Sequence, residues 1–392
     1  MLSENTSRLP RGLAVYGHIE KQSPNQFWAA GLLAGFFGFG MANLLTEFDP
    51  LLAATNATGG VCSQLGWGVL TVDEDWPALE AQVIRKAWRE ASRSVVRLEW
   101  VGGRNLLWEE MPGGAAATGT VISQDGLVVT STYFFLDRPS AILVGFADGQ
   151  VVPGRMLGRD FNRMITVIKV NRDCTSFLPR FCSQPEIEVG MRTIAIGWTL
   201  GDEPDLAVGI LSAKRRIWGK AFQTDARTSP RNYGGPLVDL RGRILGVIVP
   251  FSPDGKSPVA GVEWYDSGIG FAVPWWDIQA VLPRLATGED LHPAFLGAVF
   301  SGVNPILAEP VVTRVHPGSP AEQLGLQPRD RIVSLDNQDI TRLSEIEEIL
   351  QRRYAGEEIP VQWVRDGNRF QGTVRLGVDR RVLQAGAVGP AP

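Results

Sequence analysis

From Ser94 onward, apolar and polar positions alternate with the two-residue period of half-buried strands. "SVVRLEWV" (94–101) is the first such run. "TGTVISQDGLVVTST" (118–132) is two apolar runs meeting at Asp125-Gly126, and "AILVGFADGQVVPGRML" (141–157) repeats the pattern at Asp148-Gly149. Asp-Gly accepts the left-handed backbone of a tight hairpin, so each pair predicts two antiparallel strands. "MITVIKV", "MRTIAIGW", "AVGILSAKRR", "PLVDLRGRILGVIVPF" and "SGIGFAVP" continue the series to residue 274. Short strands with turn signals and no long crossover helices predict a barrel or sandwich, not a parallel α/β sheet. Helical spacing is confined to three places. Residues 77–92 start at Pro77 and place Leu79, Val83, Ala87 and Ala91 on one face. Residues 275–286 form a short closing helix, and 342–353 carry Leu343, Ile346 and Leu350 on one face. The last of these sits among the strand-like runs "FLGAVF", "EPVVTRV", "IPVQWVR" and "FQGTVRL", which makes 294–378 a smaller α+β unit.

Residues 27–46, "FWAAGLLAGFFGFGMANLLT", carry no charge and are long enough to cross a hydrocarbon core of about 30 Å. Arg8, Arg11 and Lys21 precede this stretch and Glu47 and Asp49 follow it. The positive-inside rule then predicts a single-pass membrane protein with a cytoplasmic segment 1–26 and the bulk of the chain outside the cytoplasm. A cleaved signal peptide is the alternative, although no Ala-x-Ala site follows. Residues 47–76 and 287–293 read as linkers, and the Ala/Gly/Pro-rich tail 379–392 as disordered.

Composition removes several function classes. The chain has 392 residues and a formal net charge of −4, without the basic balance of a nucleic-acid-binding protein. Three cysteines have no zinc spacing, and no cofactor or metal motif is present. Cys174 and Cys182 bracket a short loop and form a possible disulfide if the domain is extracytoplasmic; free thiols are the alternative. Only three histidines exist, His18, His292 and His316, and none lies within the long strand-rich region.

At this point the chain resembles the HtrA (Deg) proteases. "TGTVISQDGLVVTST" is similar to their "GSGVIIS-DGYILTNNH", and "GRDFNRMITVIKV" to "DPRTDLAVIKI". "GILSAKRR", "QTDARTSPRNYGGPLVDLRGRILGV" and "SGIGFAVP" resemble further blocks in the family's order, and "PGSPAEQLGLQPRDRIVSLDNQDI" resembles its PDZ core. The resemblance implies a mainly β protein. A trypsin-like double β-barrel domain (77–286) is followed by an α+β PDZ domain (294–378), behind an N-terminal transmembrane helix. It also implies a homo-oligomer, a trimer by family resemblance.

The catalytic positions carried over by this resemblance are all replaced. Serine proteolysis needs an oxygen nucleophile, an imidazole to take its proton, and a carboxylate to orient the imidazole. The histidine position after Thr130-Ser131-Thr132 is Tyr133, the aspartate position before Ile165 is Met164, and the serine position before the paired glycines is Tyr233. The glycine of the family's "GNSGG", whose backbone helps donate to the oxyanion, is Arg231. Core filling is the plain alternative to a new ligand site for the three replaced positions. Asn232, Gly234, Gly235 and Pro236 read as turn and strand-entry residues without chemistry. A Ser-Lys dyad would draw on Lys169, Lys214, Lys220 or Lys256, and no motif sets a serine beside any of them.

The PDZ-like unit keeps its binding features. Phe295-Leu296-Gly297-Ala298 fits the family's carboxylate loop, and Leu343, Ile346 and Leu350 are candidates for the wall of an apolar pocket. Such a unit takes a peptide as an added strand and holds its terminal carboxylate on backbone N–H groups. The sequence therefore reads as a membrane-anchored, protease-dead HtrA-like protein that binds peptides or protein C-termini. Two rivals stand beside it: an active serine endopeptidase with an unrecognised nucleophile, and an inactive subunit that joins and tunes a true HtrA protease.

Overall fold

The Asp-Gly hairpins form as their turn chemistry predicts, with Gly126 at φ +89° and Gly149 at φ +80°. A computed structural model describes residues 75–107, 109–110, 115–253, 259–300, 302 and 304–378. The apolar segment 27–46, most of the linker 47–76 and the tail 379–392 lie outside the described residues. Among the described residues no helix is long and apolar enough to cross a membrane.

Helix α1 (Trp76–Ser92) opens the described chain with proline in its first turn. Its buried stripe keeps the predicted Ala87 and Ala91 and departs from the predicted one at Leu79. Leu79 is 48% exposed, whereas Ala87 and Ala91 are buried and Ile84 and Trp88 pack beside them. The i, i+3, i+4, i+7 set starting at Ile84 meets Ile194, Ile196, Val238 and Ile244, so the second barrel selects the face.

The first barrel comprises β1 (Val95–Val101), β2 (Ala115–Val121), β3 (Leu127–Ser131), β4 (Ala141–Gly145), β5 (Val151–Asp160) and β6 (Ile165–Val170). It closes in the order β1-β2-β3-β6-β5-β4, with β4 returning to β1. Closure leaves no open edge, and Val96, Leu98, Val128, Ile142, Val144 and Ile168 fill the interior. The second sheet comprises β7 (Arg180–Phe181), β8 (Arg192–Gly197), β9 (Asp205–Arg216), β10 (Ala221–Thr224), β11 (Pro236–Val238), β12 (Arg243–Val249) and β13 (Gly270–Pro274). Pairing of β11 with both β8 and β12 closes six of its strands into a second ring, with β7 at the side. Helix α2 (Trp275–Ala286) then buries Ile278, Val281 and Leu285.

The C-terminal unit comprises β14 (Ala294–Phe295), β15 (Ala298–Phe300), β16 (Val312–Val315), α3 (Pro320–Leu324), β17 (Arg331–Leu335), β18 (Gln338–Asp339), α4 (Leu343–Arg352), β19 (Glu358–Arg365), β20 (Asn368–Arg375) and β21 (Gly377–Val378). Its central sheet runs β18-β17-β19-β20, and Ile332, Leu335, Ile359, Val361 and Trp363 pack with Leu343, Ile346 and Ile349 of α4.

This unit rests on the barrels through a buried polar cluster. Tyr354 donates its hydroxyl hydrogen to Asp160 and accepts from Arg163. Lys220 Nζ donates to Asn162 Oδ1 and Gln351 Oε1, each at 3.0 Å, and Asn162 Nδ2 donates to the Gln351 carbonyl at 2.9 Å. Burial pushes the Asp160 carboxyl up and lowers Lys220 to about 8.

Cys174 and Cys182 are free and buried, in separate apolar clusters. Of the two alternatives, a loop bridge or free thiols, the structure has the free thiols. Burial raises both thiols, so each acts as a small apolar core residue.

Candidate functional site

Three loops converge where the two barrels meet. After β3 the chain makes a 3-10 turn, Thr132–Phe134, in which Ser131 Oγ accepts the Tyr133 N–H at 3.2 Å. The Asp160 carboxylate accepts the N–H groups of Asn162 and Arg163 at 2.8 and 2.9 Å, and the turn ends at Met164 with φ +58°. The Met164 carbonyl accepts the Thr132 N–H at 2.9 Å and ties these two loops together. The third loop leads into β11. Thr118 Oγ1 donates to the Arg231 carbonyl at 2.6 Å and Thr120 Oγ1 to the Gly234 carbonyl at 3.0 Å, so β2 of the first barrel holds it. Gly234 has φ +89°, and a Cβ there would stand 2.2 Å from the Thr118 carbonyl oxygen. A side chain is therefore excluded by contact as well as by conformation.

The structure brings Tyr133, Met164 and Tyr233 to this junction and buries all three, at 4%, 3% and 3% exposed. Tyr133 and Tyr233 meet edge to face at 5.5 Å between ring centroids. Tyr265 joins them, its hydroxyl 3.3 Å from that of Tyr133. Sequence reasoning missed Tyr265, which lies on a loop with no periodic pattern. Burial pushes the Tyr133 and Tyr233 phenols far up, so both stay protonated and are poor nucleophiles.

Arg231, expected from the resemblance at an oxyanion-binding position, lies in the same loop. Arg231 is absent from the positive-φ positions, and its side chain is exposed. The Tyr233 N–H, at the nucleophile position, faces the Pro230 carbonyl at 3.4 Å. The Gly235 N–H is taken by the Asn232 carbonyl at 2.9 Å.

The lysines considered for a dyad have other partners. Lys169 pairs with Asp125, Lys214 donates to the Ile187 carbonyl, and Lys220 to Asn162 and Gln351. Lys256 lies outside the described residues. His292 stacks on Phe161 at 5.0 Å, and His316 lies against Phe295 in the C-terminal unit. No group of three or more His, Cys, Asp or Glu able to hold a metal ion occurs among the described residues.

The second candidate site is a groove of about 410 Å³ between β15 and α4. Phe295, Leu296, Gly297 and Ala298 form one end, and Leu343, Ile346 and Leu350 line the helical wall. Among the described residues β15 pairs with β16 alone, leaving its other edge toward the groove. The Leu296 carbonyl accepts the Ala321 N–H, and the Gly297 carbonyl the His316 N–H, each at 2.8 Å. A trans peptide sets its N–H opposite its C=O, so the N–H groups of Gly297 and Ala298 point away from those partners. Gly297 has φ +87°, and a Cβ would stand 2.2 Å from Ser319 Cβ. The close packing of the loop on the start of α3 thus requires glycine here.

Glu347, Gln351 and Trp218 are among the groove residues that sequence reasoning missed. Glu347 and Gln351 lie on the same helical face as Leu343 and Leu350, and the i+4 and i+8 spacing carried that signal. Trp218 comes from the β9–β10 turn of the second barrel and is 41% exposed. Arg215, just before that turn, pairs with Glu348 of α4. Nothing local in the sequence links residue 218 to a groove more than seventy-five positions away.

Residues 117–247 match the Trypsin-like peptidase domain family and 311–365 the PDZ domain family. A Chlamydia trachomatis protein described as "Probable periplasmic serine endoprotease DegP-like" is 30% identical over 269 residues, covering 65% of this chain and 52% of that protein. A Hahella chejuensis protein of the same description is 29% identical over 282 residues, covering 68% and 58%. The chain thus spans a little over half the length of these relatives. Among solved structures, "HtrA-type protease AlgWS227A with tripeptide" matches with TM-score 0.60 at 24% identity, covering 75% of this chain and 97% of that one. A serine endoprotease from Yersinia pestis matches with TM-score 0.58 at 23% identity, covering 75% and 97%. These two likenesses concern the fold.

Proposed function

The chain belongs to the HtrA/Deg family, and from that premise we propose that it is a proteolytically silent member that binds peptides or protein C-termini in its PDZ groove. One observation carries the reading: Tyr133, Met164 and Tyr233 pack into the place where a nucleophile, a base and an orienting carboxylate are needed. Neutral phenols and a thioether can neither activate a hydroxyl nor hold an imidazole. In the subtilisin case, removing the triad costs about 10⁶ in kcat and leaves roughly 10³–10⁴ over water. Here Tyr133 and Tyr233 are also buried against each other at the junction, 5.5 Å apart between ring centroids.

The relatives are named as serine endoproteases, and proteolysis is therefore the reading to test. Purified full-length chain incubated with casein should give cleavage at the level of a buffer control. Serine-inhibitor-sensitive cleavage that co-elutes with the chain would refute the proposal.

Ligand binding is the function that remains. The open edge of β15, the N–H groups of Gly297 and Ala298, and the apolar wall of α4 suit a C-terminal strand ending in an apolar residue. We further propose that residues 27–46 anchor the chain in a membrane with the barrels and groove outside the cytoplasm. Support comes from the charge-free span and the basic residues before it.

A further inference from the structure

Helix α1 turns a basic face away from the barrels. Ile84, Ala87, Trp88 and Ala91 pack on the second barrel. With about 3.6 residues per turn, Gln82, Arg85, Lys86, Arg89 and Arg93 fall on the opposite side, and all of them are exposed. The acids of the helix lie on its flanks and pair with the barrel, Glu80 with Arg192 at 2.9 Å and Glu90 with Arg180 at 3.8 Å. Arg85, Lys86, Arg89 and Arg93 form no ion pair among the described residues. These unpaired cations gather on one helix face of a chain whose net charge is −4. Leu79, Lys86 and Arg93 follow one line along that face at seven-residue spacing. Trp76, 56% exposed, stands one turn before Leu79 at the start of the helix.

We propose that this face of α1 docks on the headgroups of an anionic phospholipid bilayer and holds the barrels against the membrane surface. Charge argues for the partner. Each lysine or arginine beside an anionic leaflet is worth about fivefold in affinity, and the contributions of Arg85, Lys86, Arg89 and Arg93 multiply. Three of the four are arginines, whose planar fork matches the oxygens of a phosphate. The exposed apolar residues suit the same surface. A tryptophan ring settles at the level of the headgroups, and Leu79 lies beside it on the face that meets the lipid. Proximity adds to both, and this part of the argument rests on the membrane-anchor reading above. Positions 47–75 separate the apolar span from α1. That length of chain reaches at most about 100 Å, however it is arranged. Docking is then an intramolecular step at high effective concentration, for which a few charges suffice.

The test reads the accessibility of Lys86. Full-length chain is reconstituted into vesicles of phosphatidylcholine alone or of phosphatidylcholine with phosphatidylglycerol. Amines are acylated with a neutral, membrane-permeant reagent and mapped by mass spectrometry, with Lys169 of β6, paired to Asp125, as the internal reference. On the anionic vesicles Lys86 should react at least about fivefold more slowly than on the neutral ones. The difference should vanish at about 1 M salt, where the screening length falls to about 3 Å. The triple change Arg85→Gln, Arg89→Gln and Arg93→Gln keeps good helix formers at exposed positions and should abolish the protection. Equal reactivity on the two kinds of vesicle at low salt, or protection that survives either the triple change or high salt, would overturn the assignment. Carbonate extraction of the same vesicles reads the anchor separately. Release of the chain by carbonate, with lipid-dependent protection of Lys86 intact, would remove the anchor and leave the docking face standing.

Discussion

Tyr233 sits between Asn232 and Gly234-Gly235 in a loop whose backbone is held by hydroxyls of the other barrel. The triple change Tyr133→His, Met164→Asp and Tyr233→Ser supplies the missing residue types. We expect it to leave casein hydrolysis near background. The Tyr233 N–H still faces the Pro230 carbonyl, and Arg231, a residue with a Cβ and without positive φ, still stands in place of a glycine. One lost oxyanion donor costs about 10²–10³ in kcat. Adding Arg231→Gly should raise the rate well above the triple mutant, with folding of both checked by circular dichroism; vigorous activity in the triple mutant would contradict the oxyanion argument. At Gly297 a single methyl group is enough. Gly297→Ala places a Cβ against Ser319 at positive φ and should weaken binding of a leucine-terminated peptide while lowering Tm. The conformational part alone is about 1–2 kcal/mol. Unchanged affinity in an isothermal titration would show that this loop does not hold the carboxylate.

At the scale of elements, much of the fold was readable because local chemistry and tertiary packing agree. Asp125-Gly126 and Asp148-Gly149 set hairpins, and α2 and α4 fall within a residue of the predicted spans 275–286 and 342–353. Where packing decides, the sequence pointed elsewhere for α1 and left the cysteines open. The α1 stripe rotates from Leu79 to Ile84 because the second barrel meets that side, and Cys174 and Cys182 are drawn into different cores. Tyr265 and Trp218 reach their sites from distant loops, beyond any periodicity. The cluster joining the C-terminal unit to the barrels was equally hidden, although its chemistry is testable. Lys220 releases its proton near pH 8 in the folded chain, chiefly because it is buried, with Arg163 also lowering it and Asp160 opposing. In the unfolded chain it holds that proton up to its ordinary 10.5. Between these values the unfolded chain binds more protons, so the Lys220 contribution to stability rises with pH. Urea unfolding from pH 7.5 to 10.5 should show wild type gaining on Lys220→Met, by at most about 3 kcal/mol. A difference constant with pH would mean that Lys220 is not desolvated at this junction.

At the scale of the whole molecule, the barrels keep the architecture of a protease domain, and the groove of the C-terminal unit retains an open strand edge. The membrane anchor proposed from residues 27–46 predicts that full-length chain stays with membranes through high salt and carbonate and leaves only with detergent. Recovery of a soluble chain whose N-terminus begins beyond residue 46 would replace the anchor with a cleaved leader. The most direct test of the account is labelling of the folded wild-type chain with a fluorophosphonate, alongside an active HtrA protease, followed by mass spectrometry of the intact protein. The account predicts an unmodified mass for this chain under conditions that fully label the protease. One fluorophosphonate adduct per chain, on any serine, would contradict it.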